Sequence, residues 1–304
     1  TVSHMVLARI KGAPAGVKGI SLFIVPKFLI NPDGSLGPRN DVTLAGLLHK
    51  MGYRGTTSTV LNFGDNGGAV GYLVGEPNKG LTYMFHMMNE ARIGVGMGAV
   101  ALGYAGYLHS LEYARNRPQG RPLSGKDPNS PQVPIIQHAD VRRMLLTAKA
   151  FSEGGRALMY YCAKLLDIAH HSADEAERQN AESQLALLTP IAKGFLTEVG
   201  FESAYLGMQV FGGHGYIAEW GMEQNLRDSR ISTLYEGTTG IQALDLLGRK
   251  VLGTQGASLM SFTKVVHKFC QANEGNAAIA EFVGPLSELN KEWGELTMKI
   301  GMAA

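Results

Sequence analysis

The chain has 304 residues, 45% of them hydrophobic, which is enough for two ordinary domains with full cores, and its formal net charge of +2 favours no particular class of partner. No apolar run approaches the roughly 18 residues of a membrane-spanning helix, and the N-terminal residues have the pattern of a strand and not of a signal peptide. The two cysteines, Cys162 and Cys270, provide no zinc or redox spacing, so we expect a cytoplasmic protein without a membrane span.

The first part of the chain predicts an antiparallel β domain. Four short runs rich in β-branched and apolar residues, separated by segments rich in glycine and proline, are residues 5–10, 20–25, 57–63 and 69–74. No helical pattern connects these runs, as a parallel sheet would require. Because the first predicted strand begins almost at residue 1, we expect that an upstream part of the protein is missing from this chain.

Further along the chain, from about residue 81, the apolar residues recur at helical spacing. Four helical regions are predicted, at residues 82–115, 135–170, 180–208 and, starting at Ser232 or Thr233, up to about residue 252. The first is either one helix or two helices joined at the glycine cluster of residues 94–98, and Pro190 is a possible kink in the third. Long helices with apolar stripes predict a four-helix bundle.

Two more helical patterns follow the bundle, at residues 258–269 and 277–302. The predicted fold class is therefore α+β, with a partial antiparallel β domain at the N-terminus, a four-helix bundle, and extra C-terminal helices. We place the β domain at residues 1–80 and the bundle at residues 81–252. Residues 253–304 are additional helices, which we expect to be the start of a further domain.

The segment Leu-Tyr-Glu-Gly-Thr-Thr-Gly-Ile-Gln, residues 234–242, contains the main candidate for a catalytic residue. Glu236 is followed at once by a small, flexible turn and then by a helical pattern, and backbone amides at a helix start attract anions and hydrogen-bond acceptors. A carboxylate held beside such a turn among apolar neighbours can act as a base. Taken alone, however, the residue is more often a helix N-terminal glutamate stabilised by the helix dipole.

Two other segments contain groups suited to a phosphate. Gln209 precedes the pair Gly212 and Gly213, where backbone N–H groups can approach a phosphate closely; a helix-ending glycine turn is the alternative. Arg117 ends the first predicted helix, and its planar guanidinium suits a diphosphate. A cation that satisfies a helix C-terminus is the alternative for Arg117.

Two further patterns are explained more simply by structure. The spaced glycines of residues 94–98 follow a helical stretch and not a strand, so they predict close helix packing and not a dinucleotide site. His170 and His171 are adjacent in sequence, whereas two histidines on one helix face are four residues apart. They predict a solvated helix end and not a metal site.

Taken in chain order, these segments resemble the middle and C-terminal domains of acyl-CoA dehydrogenases. The resemblance covers about residues 1–250. The Tyr-Glu-Gly-Thr segment, and a chain that continues past the bundle, are most similar to the large bacterial subgroup that includes 3-methylmercaptopropionyl-CoA dehydrogenase. The resemblance implies an enzyme that carries out FAD-dependent α,β-dehydrogenation of an acyl-CoA thioester.

In that reaction, the resemblance makes Glu236 the base that removes the α-proton while a hydride moves to the flavin. Tyr235 and Gly237 are implied as substrate contacts at the thioester. Arg92 is implied beside Glu236, where a cation limits how far the pKa of the carboxylate rises. The alternative for Arg92 is a surface arginine paired with a nearby glutamate, Glu90 or Glu76.

The resemblance also implies the contacts to FAD. The residues at matching positions are Arg117, Gln119, His138, Gln209, Gly212, Gly213 and Thr238. In the family, the segment around Gly212 contacts the FAD pyrophosphate of a neighbouring subunit, so a homodimer or homotetramer is expected. An electron-transfer flavoprotein is the expected electron acceptor.

Two other functions stay open at this point. An acyl-CoA oxidase that reduces oxygen would have the same fold, and nothing in the sequence separates it from a dehydrogenase. A catalytically idle, flavin-containing nucleic-acid-binding homologue predicts a basic domain after residue 250. Residues 251–304 contain no arginine, which argues against nucleic acid as a partner.

Overall fold

The computed structural model describes residues 3–122, 124 and 127–303. They form two compact units, one ending at Ala91 and the other beginning at Arg92. The first unit contains the strands, and the second is helical. The predicted α+β class, with antiparallel strands first and helices after them, is confirmed.

All strand pairs of the first unit are antiparallel. In chain order the strands are β1 (Ser3–Arg9), β2 (Ile20–Pro26), β3 (Phe28–Ile30), β4 (Leu36–Arg39), β5 (Val42–Leu48), β6 (Ser58–Phe63) and β7 (Tyr72–Val74). β2 lies between β1 and β7, with His4 opposite Val25, and its Leu22 and Val25 are buried. β3 pairs with β4, and β5 pairs with β6.

Three strands lie in residues 28–48, for which the sequence pattern predicts none. β4 contains Gly37 and Pro38, which are depleted in strands, but β4 is an edge strand, where a missing N–H is tolerated. In β5 the register shifts between Leu44 and Gly46, and this irregularity breaks the alternation that marks a strand in the sequence.

The helices follow the strands. They are α1 (Gly80–Asn116), α2 (Ala139–His171), α3 (Glu175–Val210), α4 (Met222–Arg230), α5 (Thr239–Leu244), α6 (Ala257–Asn273) and α7 (Ala280–Ala303). α5 continues directly into a π-helical segment, Asp245–Val251. The three long predicted helices and the two C-terminal ones are confirmed, and α1 is one continuous helix through its glycine cluster.

Two helical boundaries differ from the prediction for identifiable reasons. α3 begins at Glu175 and not at residue 180, because the Asp174 carboxylate caps its first turn by accepting from the N–H of Ala176 at 2.8 Å. The predicted fourth helix is interrupted: a short 3-10 turn covers Ile231–Thr233, and the α-helix starts only at Thr239. Helix α4, which is short and polar, has no counterpart in the prediction.

Helices α1, α2 and α3 share an apolar core. Its buried members include Val100, Met159, Leu165, Leu188 and Leu196. The backbones of α1 and α3 approach closely: a Cβ added to Gly200 would lie 2.5 Å from the carbonyl oxygen of Ala99, and one added to Gly96 would lie 3.2 Å from that of Ala192. For Gly96, close packing, as predicted, explains the glycine.

The C-terminal helices pack on this bundle. Leu259 of α6 is buried with Leu187 of α3 and Val251, and Phe262 of α6 makes an edge-on ring contact with Trp293 of α7. Among the described residues, no helix combines the length and the apolar character required to cross a bilayer.

Candidate active site

Glu236 lies in a tight turn between the 3-10 turn Ile231–Thr233 and α5. Its φ is +55°, and that of the following Gly237 is +92°. The left-handed region costs a non-glycine residue about 1–3 kcal/mol, so this conformation persists only where surrounding contacts impose it. Glu236 itself is half-buried. Backbone strain of this kind is concentrated at functional sites.

Three buried side chains hold the turn by its backbone carbonyl groups. Nε of Arg92 donates to the carbonyl of Glu236 at 3.2 Å, and Nζ of Lys193 donates to that of Gly237 at 2.6 Å. Nε2 of Gln242 lies 3.1 Å from both carbonyl oxygens. The three donors are between 0 and 2% exposed. The turn is therefore fixed from the interior of the helical unit.

Arg92 is part of a buried ion pair. Its Nη1 lies 3.0 Å from Oδ2 of Asp245, and both side chains are 3% exposed. Arg249, one turn further along the π-helical segment, reaches the other carboxylate oxygen of Asp245 at 3.2 Å. The alternative in which Arg92 is a surface arginine is therefore wrong. Because Asp245 neutralises the guanidinium, Arg92 acts on Glu236 chiefly through the backbone carbonyl.

Sequence reasoning missed Lys193. Burial lowers the pKa of this lysine, the charge of Arg92 lowers the pKa further, and Glu198 and Glu236 act in the opposite direction. The sequence contains one signal that could have identified it: Lys193 is the single charged residue in the mostly apolar helical stretch of residues 187–196. Such a lysine is rarely buried without a specific partner.

The residues on either side of Glu236 and Gly237 are more exposed. Tyr235 is 40% exposed, so it is not a core residue. Thr238 caps α5, with its Oγ1 accepting from the N–H of Ile241 at 3.4 Å. The predicted substrate residues and Thr238 thus lie together around one turn.

A second group of predicted residues lies where α1 ends and α2 begins. Nε2 of His138 donates to the carbonyl of Gln119 at 2.7 Å, which ties the loop after α1 to the start of α2. Nη1 of Arg117 donates to the carbonyl of Pro118 at 3.1 Å, and the Arg117 side chain is exposed. Gln119 is also exposed.

Arg117 borders a pocket of about 460 Å³ together with aromatic residues from the segment after α3. In this pocket the rings of His214 and Trp220 stack with centroids 4.8 Å apart, and those of Tyr113 and Phe211 with centroids 4.2 Å apart. The Tyr113 hydroxyl and Nδ1 of His214 are 2.9 Å apart and share a hydrogen bond.

Gly212 and Gly213 directly precede His214, which lines this pocket. Gly212 has a φ of +57°, and no atom lies within 4 Å of a Cβ built on Gly212 or Gly213. Gln209 is exposed in the last turn of α3, three residues earlier. An exposed guanidinium, flat aromatic rings and open backbone at two glycines suit a ligand with a planar ring and phosphate groups.

The structure therefore gathers the predicted site residues into two groups. Arg92, Tyr235, Gly237 and Thr238 surround Glu236, whereas Arg117, Gln119, His138, Gln209, Gly212 and Gly213 lie around the loop after α1 and the segment after α3. Throughout the described part of the chain, histidine, cysteine, aspartate and glutamate side chains form no group of three that could hold a metal ion. His170 and His171 are exposed at the end of α2, as predicted.

Comparisons of the sequence with a family model and with curated proteins indicate the same family. Residues 78–252 match the model of the acyl-CoA dehydrogenase C-terminal domain. The chain is 47% identical over 288 residues to 3-methylmercaptopropionyl-CoA dehydrogenase of Ruegeria pomeroyi, covering 94% of this chain and 48% of that protein. It is 39% identical to the broad-specificity linear acyl-CoA dehydrogenase FadE5 of Mycobacterium tuberculosis, over 91% of this chain and 46% of that protein.

A solved structure shows the same fold along nearly the whole chain. The crystal structure of Caenorhabditis elegans ACDH-11 in complex with C11-CoA superposes with a TM-score of 0.82 at 22% identity, covering 99% of this chain and 48% of that one. The chain thus spans about half the length of the curated relatives it matches.

Proposed function

The chain belongs to the acyl-CoA dehydrogenase family, and from this premise we propose that it catalyses FAD-dependent α,β-dehydrogenation of an acyl-CoA thioester. The observation that carries the proposal is the strained turn at Glu236, which buried donors hold by its carbonyl groups. A general base must be fixed in position relative to the proton it removes. The turn provides a half-buried glutamate whose backbone is fixed in position.

In the proposed reaction, Glu236 accepts the α-proton of the thioester and is itself protonated. FAD, when bound, supplies the acceptor for the hydride that leaves the β-carbon, so that the substrate loses two electrons and two hydrogens and gains a double bond. Tyr235 flanks the acyl thioester, and Arg92 fixes the Glu236 backbone from the interior.

The residues of the second group fit the nucleotide part of FAD. Arg117 supplies a guanidinium for the diphosphate, and the open backbone at Gly212 and Gly213 allows close approach of phosphate oxygens. The aromatic walls of the pocket, at Tyr113 and Trp220, suit an adenine ring. We assign Gln119, His138, Gln209 and Thr238 to the same cofactor as further contacts.

The electrons have to leave the reduced cofactor, and we take an electron-transfer flavoprotein as the acceptor. This assignment rests on the acyl-CoA dehydrogenase family. No observation favours an oxidase or a nucleic-acid-binding role.

The variant Glu236→Gln tests the proposed base. An amide has nearly the shape of the carboxylate but cannot accept the α-proton, so we expect the purified protein to bind FAD normally and kcat to fall by about 10²- to 10⁴-fold. The measurement is the bleaching of flavin absorbance by a panel of acyl-CoA substrates under argon. Full reduction in this variant at the wild-type rate would refute the assignment.

The variant Glu202→Gln is the matched control. Glu202 is exposed on α3 and undergoes the same change of charge away from the turn. We expect it to reduce flavin at the wild-type rate.

A further inference from the structure

Lys193 is energetically unfavourable at its buried position. Its side chain is fully buried in the middle of α3, and the hydrogen bond that fixes its ammonium group goes to a backbone carbonyl, that of Gly237, and not to a carboxylate. Burying a charge that forms no ion pair lowers stability, as does a buried ion pair that has lost one partner. An apolar side chain of the same length would avoid this cost.

The fold does not need Lys193 to satisfy the hydrogen-bond partner of this lysine. The carbonyl of Gly237 also accepts from Nε2 of Gln242 at 3.1 Å, so it would not be orphaned by loss of the lysine. Burial lowers the pKa of Lys193, as expected for an ammonium group whose charge the surroundings oppose. Lys193 therefore lowers stability, and the carbonyl of Gly237 does not require it. Its presence is explained by its effect on the site.

The geometry of the turn shows what the lysine does. Peptide groups are planar and trans, so donors that draw the carbonyls of Glu236 and Gly237 inward determine the orientation of both peptide planes. These two planes flank Gly237, at its φ of +92°, and the first of them also adjoins Glu236, whose φ of +55° would otherwise relax. The bond from Lys193 is the shortest of the four that hold the turn, at 2.6 Å.

We propose that Lys193 is a positioning residue for Glu236: it holds the carbonyl of Gly237 from inside the bundle and thereby fixes the place of the carboxylate. The consequence for catalysis rests on the function proposed above, whereas the anchoring of the turn does not. A misplacement of a catalytic group by about 1 Å can lower the rate by about 100-fold.

The test is the variant Lys193→Met, which keeps an unbranched side chain of similar length and removes its charge and its donor. We expect the melting temperature to stay equal or to rise, while the peptide covering residues 234–244 exchanges its amide hydrogens faster. In the dehydrogenase assay we expect kcat to fall about 10- to 100-fold with KM changed by less than about twofold. Stability and activity thus change independently, which a purely structural role does not produce.

The control is Ser203→Ala. Ser203 is buried on the same helix, but its hydroxyl bonds to the carbonyl of Val199 at 2.8 Å within α3. It should leave the exchange of residues 234–244 and kcat unchanged.

Two results would overturn the proposal. One is wild-type amide exchange of residues 234–244 in Lys193→Met. The other is a lowered melting temperature or a failure to fold, because Lys193 would then be a structural residue. If the wild-type protein does not oxidise acyl-CoA at all, the proposed function fails, but the exchange and melting measurements still decide whether Lys193 anchors the turn.

Discussion

At the scale of single residues, the site is defined by how its charges are compensated. Arg92 and Asp245 neutralise each other at 3.0 Å inside the helical unit. Lys193, by contrast, is fully buried and bonded to a neutral carbonyl. A buried pair costs less than a buried single charge. Lys193 is therefore where a change in protonation has consequences for the whole turn.

This difference leads to a prediction about pH. Because the pKa of Lys193 is lowered on folding, the unfolded state binds more protons between the lowered value and the ordinary value of about 10.4. The lysine's contribution to the free energy of unfolding must therefore rise with pH through that interval. Arg92 favours this lowering, while Glu198 and Glu236 oppose it.

The measurement is the free energy of unfolding in urea against pH, for wild type and Lys193→Met. We expect the free energy of unfolding of the wild type to increase relative to that of the variant as the pH rises toward the ordinary pKa of lysine, about 10.4. The variant Lys164→Met, which removes an exposed lysine from α2, is the control and should run parallel to wild type. A constant difference between wild type and Lys193→Met would contradict the prediction.

At the scale of elements, the close approach of α1 and α3 places the donors of the turn. Arg92 comes from α1, Lys193 from α3, and Gln242 from α5, so the three meet only if these helices lie close together. Glycine makes this possible where Gly200 faces the backbone of Ala99. The spacing of the helices is therefore part of the geometry of the site.

We predict that Gly200→Ala destabilises the protein. Its new methyl group would lie 2.5 Å from the carbonyl oxygen of Ala99, a backbone atom that can move only if the helices separate. Overpacking of this kind costs about 1–3 kcal/mol, more than the gain of about 1 kcal/mol from replacing a helical glycine by alanine. Calorimetry should therefore show a lower melting temperature.

The matched control is Gly154→Ala in α2. This glycine is exposed, and no atom lies within 4 Å of an added Cβ. Here the helix-propensity gain of about 0.5–1 kcal/mol acts alone, so the melting temperature should rise. Equal shifts in the two variants would mean that Gly200 is not a contact point between helices.

At the scale of the whole molecule, the chain contains two groups of candidate site residues, and the proposed function requires both of them together with FAD. The turn at Glu236 is one, and the pocket beside Arg117 is the other. Assembly into a homodimer or homotetramer, which the resemblance implies, stays a prediction. Binding of FAD and assembly are then expected to depend on each other.

The pocket gives a direct prediction for cofactor affinity. Arg117→Ala removes an exposed guanidinium, and charge-assisted hydrogen bonds contribute about 1.5–3 kcal/mol, so the Kd for FAD should rise by about 10- to 100-fold. The melting temperature without FAD should not change, because the side chain bonds only locally, to the carbonyl of Pro118. Titration of the apoprotein with FAD measures the affinity.

Arg115→Ala is the control for this prediction. Arg115 is exposed in the last turn of α1, two residues before Arg117, and does not line the pocket described above. Its removal changes the net charge equally, so its effect on the Kd should be small. An equal loss of affinity in both variants would indicate general electrostatic attraction and not a specific contact at Arg117.

Much of the fold followed from local pattern. Helical periodicity identified α1, α2 and α3, because each has a long apolar stripe that local spacing reveals. The strands β3, β4 and β5 escaped prediction because their residues are mostly exposed and their pattern is interrupted by Gly37, Pro38 and a bulge. Sequence patterns report burial, and these strands bury little.

The candidate base, Glu236, was visible in the sequence because its flanking residues form a contiguous motif. Of the residues that support it, only Arg92 was expected beside Glu236, through the resemblance. Lys193 and Asp245 were not expected there, because they are 43 and 9 positions away in sequence and reach the turn and Arg92 only in the folded chain. The sequence by itself determined the family and the helices, and it identified Glu236 as the proposed base. Only the tertiary structure decided how that base is held, because hydrogen bonds to backbone carbonyls depend on distances between helices, which no local pattern records.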